Sequence, residues 1–391
     1  MSDIVILDGA RTAIGTFGGA LASMAPIDLA TVASEAAMER SGVEGGQIGQ
    51  VVFGHVINTE PRDMYLSRVA AMQAGIPAST PAMNVNRLCG SGAQAIVSAV
   101  QALMLGDAEF ALAGGAESMS RSPFIVPQAR WGAKMGDVQS LDMMLGALNC
   151  PFGTGHMGVT AENVADEHQI TRADQDAFAL TSQTRAAAAI AEGRFDSQIA
   201  PVDVMVRREK VPFTVDEHPK ATTAEALGGL RPVFRKDGSV TAGNASGIND
   251  GAAAIVLATA DAANKAGLKP KARVLGYAHA GVRPEVMGVG PIPAVQNLMK
   301  KTGLSVSDFD VVESNEAFAA QALAVNKELG LDAAKVNPNG GAIALGHPVG
   351  ATGALITVKA MYELERIGGS KGLITMCIGG GQGIAIAIEM L

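Results

Sequence analysis

Two well-separated stretches of this chain follow one plan. In the first, a glycine-rich turn, Gly90-Ser91-Gly92, leads into an apolar helical pattern over residues 93–104. A short polar link follows, then a strand, Phe110-Ala111-Leu112-Ala113, that ends on Gly114-Gly115. Near the C-terminus the order returns: a turn rich in glycine, a helix over 354–364, a polar link, and the strand 372–377 running into Gly379-Gly380-Gly381. In the first helix Ala93, Ile96, Val97, Val100, Leu103 and Met104 recur at three- and four-residue steps, the signature of one buried face. The match is of pattern, not identity. It predicts a duplicated α/β fold with a pseudo-two-fold axis, the strand-to-loop ends of both halves converging.

The rest of the chain fits around that plan. Ile4-Val5-Ile6-Leu7 and Val51-Val52-Phe53-Gly54 read as buried strands and residues 29–38 as a helix. From about 118 to 249 the pattern dissolves into Met, Pro, Gly and charged residues with one clear helix, 173–192. This predicts an inserted loop domain, after which Ala252-Ala253-Ala254-Ile255-Val256-Leu257 rejoins the first sheet. With 391 residues, 48% hydrophobic and only 4% aromatic, the chain packs small aliphatic side chains and brings backbones close. No run looks long enough to cross a membrane, which takes about 18 apolar residues. The opening residues go straight into a strand pattern, with no secretory leader. Three cysteines are too few for a disulfide framework and suit a reducing cytoplasm. A net charge of −8 argues against nucleic acid. It leaves room for a small polyanion, because residues 205–236 hold seven basic side chains against four acidic ones.

Four constellations carry chemistry. Cys89, in Asn86-Arg87-Leu88-Cys89-Gly90-Ser91-Gly92, sits at or just before a helix start, where N–H groups and the helix dipole favour a thiolate. His347 lies among glycines in residues 341–353 with Pro348 behind it, a positioned histidine suited to general-base work. Cys377, in Cys377-Ile378-Gly379-Gly380-Gly381-Gln382-Gly383, is a thiol at a strand end opening onto backbone N–H groups. Asn315, in Glu313-Ser314-Asn315-Glu316-Ala317-Phe318, follows the strand Phe309-Asp310-Val311-Val312 and can orient a water or donate to an oxyanion. Together they fit nucleophilic acyl transfer. His55, His168, His218 and His279 have no such company and are assigned to core or surface, and Cys150 to packing. Met143-Met144 are candidates for shaping an acyl pocket.

At these residues the chain closely resembles the thiolase family. The resemblance runs through residues 86–92, 114–120, 155–163, 241–251, 315–320, 337–353 and 377–383, essentially the whole chain in family order. The Asn-Arg-Leu-Cys-Gly-Ser-Gly version and the overall length resemble bacterial β-ketothiolases of the acetyl-CoA acetyltransferase type. The fold so implied is α/β and thiolase-like, with duplicated α/β/α/β/α halves. Residues 1–117 plus 250–270 would form one half and 271–391 the other, with 118–249 as a loop domain for coenzyme A binding and oligomerisation.

The resemblance implies reversible condensation of acetyl-CoA with an acyl-CoA, short chains favoured, through an acyl group on Cys89. His347 would take the Cys89 proton and Cys377 would exchange the α-proton. His347 and a water on Asn315 would face the enolate oxygen, and the N–H groups of Cys89 and Gly379 the tetrahedral oxyanion. His156, Met157, Ser246, Gly247, Met287, Ala317 and Phe318 would line the pantetheine path. Lys220 is a phosphate candidate: the family often has an arginine nearby, at a different local spacing. Coenzyme A thioesters would be the substrates, with no metal or redox cofactor, no nucleic acid and no membrane. The assembly implied is a homotetramer, a dimer of dimers bridged by residues near 120–140. A degradative thiolase for longer 3-ketoacyl-CoA chains would carry the same residues. A ketoacyl-carrier-protein synthase would pair its cysteine with two histidines, or histidine and asparagine, where this chain has Cys377. A Rossmann oxidoreductase lacks its glycine fingerprint here, and a non-catalytic lipid binder would be expected to have lost one of Cys89, His347 and Cys377. Two thiols in one pocket also suggest a reversible disulfide if their Cα atoms lie within about 7 Å.

Overall fold

The computed structural model describes residues 3–391. Its frame is nine strands and seven longer helices. The strands are β1 (Ile4–Thr12), β2 (Gln50–Gly54), β3 (Ala82–Val85), β4 (Phe110–Ser118), β5 (Asn249–Thr259), β6 (Ala272–Gly281), β7 (Val311–Ser314), β8 (Lys371–Ile378) and β9 (Gln382–Met390). The helices are α1 (Pro26–Ser41), α2 (Ser91–Leu105), α3 (Met157–His168), α4 (Arg172–Ala191), α5 (Pro291–Thr302), α6 (Ala319–Leu329) and α7 (Thr352–Ile367). Local chemistry sets their limits. Proline opens α1 and α5, where its missing N–H is no loss. Left-handed glycines, Gly42, Gly106, Gly303, Gly330 and Gly368, stop α1, α2, α5, α6 and α7. Thr171 and Asp174 close a capping box on α4. The strand expected at Phe309 begins two residues later, at Val311, because the Asp310 carboxylate instead accepts the N–H groups of Ser370 and Lys371.

The strand order β7-β8-β9-β6-β1-β5-β4-β2-β3 carries the repeat predicted from sequence. Reading outward from the β6–β1 junction, β1-β5-β4-β2 and β6-β9-β8-β7 match in order and direction. Each run has two antiparallel pairings followed by a parallel one. Even the outer parallel partner of β2, strand β3, has a vestige in the single parallel bridge between Val312 and Val336.

Alternation along each strand divides between two cores instead of between core and solvent. Ile4 and Ile6 join the central cluster while Val5 and Leu7 pack under α1. In the second half Ile374 and Met376 face the central cluster and Leu373 packs with α5. Helices α2 and α7 lie in the middle, covered by strands of both halves. Successive layers are therefore α1, the first-half strands, α2 with α7, the second-half strands, and α5. The insertion contributes α3, α4, short strands and one parallel pairing, Ile199–Ala200, along β1.

The central pair bears on membrane crossing. The window Leu88–Leu105 reaches a mean hydropathy of 1.5 over 18 residues, so length and composition alone would allow a span, against the sequence expectation. Its apolar face is instead spent on α7 and the β2 and β4 strands. The two central helices cross where neither has a side chain. A Cβ on Gly92 would lie 2.7 Å from Ala354 N, and one on Gly353 would overlap the Ala93 backbone. Gly353→Ala therefore forces the helices apart. Overpacking should cost about 1–3 kcal/mol, read as a lowered urea midpoint at unchanged slope; an unchanged midpoint would show that the crossing has slack.

Candidate active site

The turn before α2 presents Cys89. Asn86 Oδ1 accepts the Leu88 N–H at 2.9 Å, and Ser91 Oγ accepts the Arg87 N–H while donating to Leu88 O. These bonds hold Leu88 at φ 46°, left-handed backbone that a leucine rarely adopts. Gly90 caps the helix, so Cys89 stands one residue short of it. Burial pushes the Cys89 thiol up. The N–H groups of Gly379 and of Cys89 itself, aimed at the sulfur, offset this only in part, and the Glu117 charge adds to the rise. Desolvation thus outweighs the helix start, so the sulfur rests as a thiol that needs a base to ionise it. The two N–H groups named in advance as an oxyanion hole do converge on one point.

His347 arrives from the second half. Its N–H donates to Asn249 Oδ1 at 2.9 Å, and Asn249 in turn donates to Gly15 O at 3.0 Å. The Thr352 hydroxyl donates to Pro348 O at 2.8 Å and lies 2.6 Å from His347 Nδ1. With that hydroxyl proton committed, Nδ1 must be the protonated nitrogen and Nε2 carries the acceptor lone pair. Burial lowers the imidazole pKa to about 4, so it rests neutral, as a base must. Asn315 Nδ2 lies 3.5 Å from Nε2, while its Oδ1 has no protein partner. The Asn315 backbone is fixed by Thr375 O and Gln321 Nε2, with Asn337 bonded on both sides of neighbouring Ser314. Cys377 is fully buried; burial first, and the nearby Cys89 second, push its thiol far up.

A cavity of about 790 Å³ opens onto this group. Cys89, His347 and Gly379 line it, together with His156, Met157, Lys220, Ser246, Gly247, Met287, Ala317 and Phe318. Cys377 and Asn315 stand behind that wall, Cys377 packed with Met157, Met287 and Phe318. His156 caps α3, its Nδ1 accepting the Gly158 N–H at 3.0 Å. The segment 244–246 pairs with 317–319 through Ser246 N to Ala317 O and Ala319 N to Asn244 O, making one continuous floor.

Several residues escaped the sequence reading. Phe234 stacks on His156 with ring centroids 4.7 Å apart and meets Phe318 edge-on at 6.3 Å. An isolated phenylalanine in a loop carries no pattern that would have flagged it. His218, assigned to core or surface, in fact lines the cavity; burial lowers its pKa to about 4. It is delivered by Asp216, whose carboxylate takes a bidentate pair from Arg11 of β1, both side chains fully buried. Neighbouring Glu217 accepts from Thr16 and Ala20. Met143 and Met144 do not reach the cavity; Ala147 and Leu148 of the same short helix do. Of the basic stretch only Lys220 lines the cavity. Arg207 and Arg208 sit at an exposed hairpin turn and Arg235 pairs with Asp166.

Paired thiols, a neutral imidazole with an unprotonated Nε2 and two convergent N–H groups define a site for acyl transfer through a cysteine thioester. Comparison with known proteins agrees. The model of the thiolase N-terminal domain matches residues 4–261 and that of the C-terminal domain residues 268–390. The chain is 58% identical over 391 residues to beta-ketothiolase BktB of Cupriavidus necator, covering 100% of this chain and 99% of that protein. It is 50% identical to an acetyl-CoA acetyltransferase of Thiocystis violacea, covering 100% of both. Among solved structures, the Bacillus anthracis acetyl-CoA acetyltransferase superposes with a TM-score of 0.98 at 47% identity, covering 100% of this chain and 99% of that one. Human mitochondrial 3-ketoacyl-CoA thiolase in complex with CoA gives 0.97 at 44%, covering 100% and 98%. The chain belongs to the thiolase family and is an acyltransferase.

The tautomer argument has a direct check. Thr352→Val removes the acceptor of the Nδ1 proton and leaves a buried donor unpaired, a loss of about 1–3 kcal/mol. We expect kcat to fall about 10–100-fold with KM little changed; steady-state kinetics with an unchanged kcat would mean that Thr352 does not set the tautomer.

Proposed function

We propose that the protein is a β-ketothiolase of the acetyl-CoA acetyltransferase type, reversibly joining acetyl-CoA to a short acyl group held on Cys89. The carrying observation is an uncharged trio, half-buried Cys89 at the cavity wall with buried Cys377 and His347. His347 Nε2 takes the Cys89 proton as the sulfur attacks the thioester carbonyl. The N–H groups of Cys89 and Gly379 hold the tetrahedral oxyanion, each donor worth about 3–4 kcal/mol. Cys377 gives its proton to the departing coenzyme A sulfur and is left as a thiolate. A thiol pushed so far up by burial yields a strong base, matched to a weakly acidic α-carbon. That thiolate takes the α-proton of the second acetyl-CoA. The His347 imidazolium and Asn315, through a water, face the enolate oxygen. The enolate carbon displaces Cys89 from its acyl group, and His347 returns the proton to the sulfur. No step calls for a metal or redox cofactor.

The floor formed by 244–246 and 317–319, with His156 and Phe234 stacked beside it, supports a pantetheine path; Lys220 at the cavity wall supports a phosphate contact. The relatives named for acetyl-CoA support a short-chain preference. The segment around Phe124, Trp131 and Met135 exposes apolar side chains, Met135 at 99%, which supports burial in a homotetramer; light scattering should read four protomer masses. Free cysteines fit a reducing cytoplasm.

Intact-mass spectrometry after mixing with acyl-CoA thioesters of increasing length tests both mechanism and range. Wild type should gain the acyl mass from short thioesters, and Cys89→Ala should gain none and lose about 10⁴-fold or more in turnover. Labelling that persists in Cys89→Ala overturns the nucleophile. A thiolysis optimum above about six carbons overturns the short-chain reading.

A further inference from the structure

Glu117 is the last residue but one of β4, beneath the catalytic turn, fully buried, and takes no part in the steps above. Its Oε2 accepts the N–H groups of Gly350 at 2.9 Å and Val56 at 3.1 Å; its Oε1 accepts that of Ile57 at 3.1 Å. One carboxylate thus ties the loop after β2 to the turn that carries His347. The fit is close: a Cβ on Gly350 would overlap Oε2. His55 lies alongside, its Nδ1 2.9 Å from Ala116 O and 3.4 Å from Glu117 Oε1. Its Nε2 has no hydrogen-bond partner and stands 4.0 Å from Asp63 Oδ2. Asp63 is buried too, with Oδ2 taking the Thr59 and Glu60 N–H groups and Oδ1 unpartnered. Three buried titratable side chains therefore sit under the active site without lining its cavity.

We propose that Glu117 is a positioning residue for acyl transfer: through Gly350 it fixes the turn that aims His347 at Cys89, with the His55 ring packed beside it. The proposal rests on the role given to His347 above. A purely structural anchor would hold the loop in any protonation state. A hydrogen-bonding carboxylate that accepts on both oxygens would not, because protonation converts one acceptor into a hydroxyl.

That difference is visible in pH dependence. The groups facing Glu117 are His55, with Asp63 beyond it, and Cys89 across the site. On neighbouring β5, Gly251 lies opposite Glu117, and Asp250 is engaged by Ser120. Burial raises the Glu117 pKa, and His55 with the three N–H donors pulls it back only in part. His347 stays neutral until about pH 4. The competent form has Glu117 ionised, so kcat falls as pH drops through the raised Glu117 value, before His347 charges.

The experiment is kcat against pH for thiolysis at saturating acetoacetyl-CoA and coenzyme A, on wild type, Glu117→Gln and His55→Asn. Glu117→Gln should lose about 10–100-fold in plateau kcat, the scale of a misplaced catalytic group, with KM within about twofold and the acid limb gone. His55→Asn, without the ring that holds the Glu117 pKa down, should move the acid limb to higher pH. The proposal is overturned if Glu117→Gln keeps wild-type kcat, or if its acid limb stays where it was. Should Glu117→Gln fail to fold by circular dichroism, His55→Asn decides: a raised limb supports the proposal and an unmoved limb overturns it. Acyl-enzyme formation by wild type, measured alongside, tests the function itself, so failure of one is not mistaken for failure of the other.

Discussion

The structure depends on a contact between two helices that have nothing to offer but backbone. At the crossing of α2 and α7, Gly92 and Gly353 let the N-terminal ends of the two halves' central helices meet. Each helix is preceded by a glycine-rich turn, and each turn carries one member of the reacting pair, Cys89 or His347. Bring the helices together and the nucleophile and base arrive at the same place. The large clusters on both sides then serve to hold that crossing closed.

Low dielectric does the rest. Burial raises both thiols and lowers the imidazole, so every reacting side chain rests uncharged. The fixed dipoles of Cys89 N–H and Gly379 N–H wait for charge that exists only during reaction, which is when such donors count most. A site already ionised at rest would bind its own charges instead of the transition state.

Much of this was legible beforehand. The repeat predicted two halves on one plan, and residues 93–104 and 354–364 fell inside α2 and α7. Cys89, His347 and Gly379 are read from short runs in which glycine surrounds one reactive side chain, and all three line the cavity. What stayed hidden depends on partners distant in sequence. Glu117, Asn249 and Thr352 are ordinary polar residues until the fold brings Gly350, the His347 N–H and the His347 ring to them. The same holds for His218 and Phe234, which belong to the irregular insertion where no periodicity constrains their place. How far burial opposes the helix start at Cys89 was hidden for a related reason: a helix start is visible in sequence, but how much water its neighbours exclude is not.

The Arg11–Asp216 pair says something about how the molecule is divided. Arg11 belongs to the innermost strand of the duplicated core, and Asp216 to the insertion, two residues before His218. Neither charge has solvent, and losing one partner of a buried pair costs about 3–5 kcal/mol. The insertion is therefore no detachable accessory: Gln198 and Asp216, the side chains that hold the Arg11 guanidinium, both belong to it. The strand at the centre of the core is therefore also the anchor of the segment that brings His218 to the cavity, so the wall that meets a ligand is set by the core's own frame.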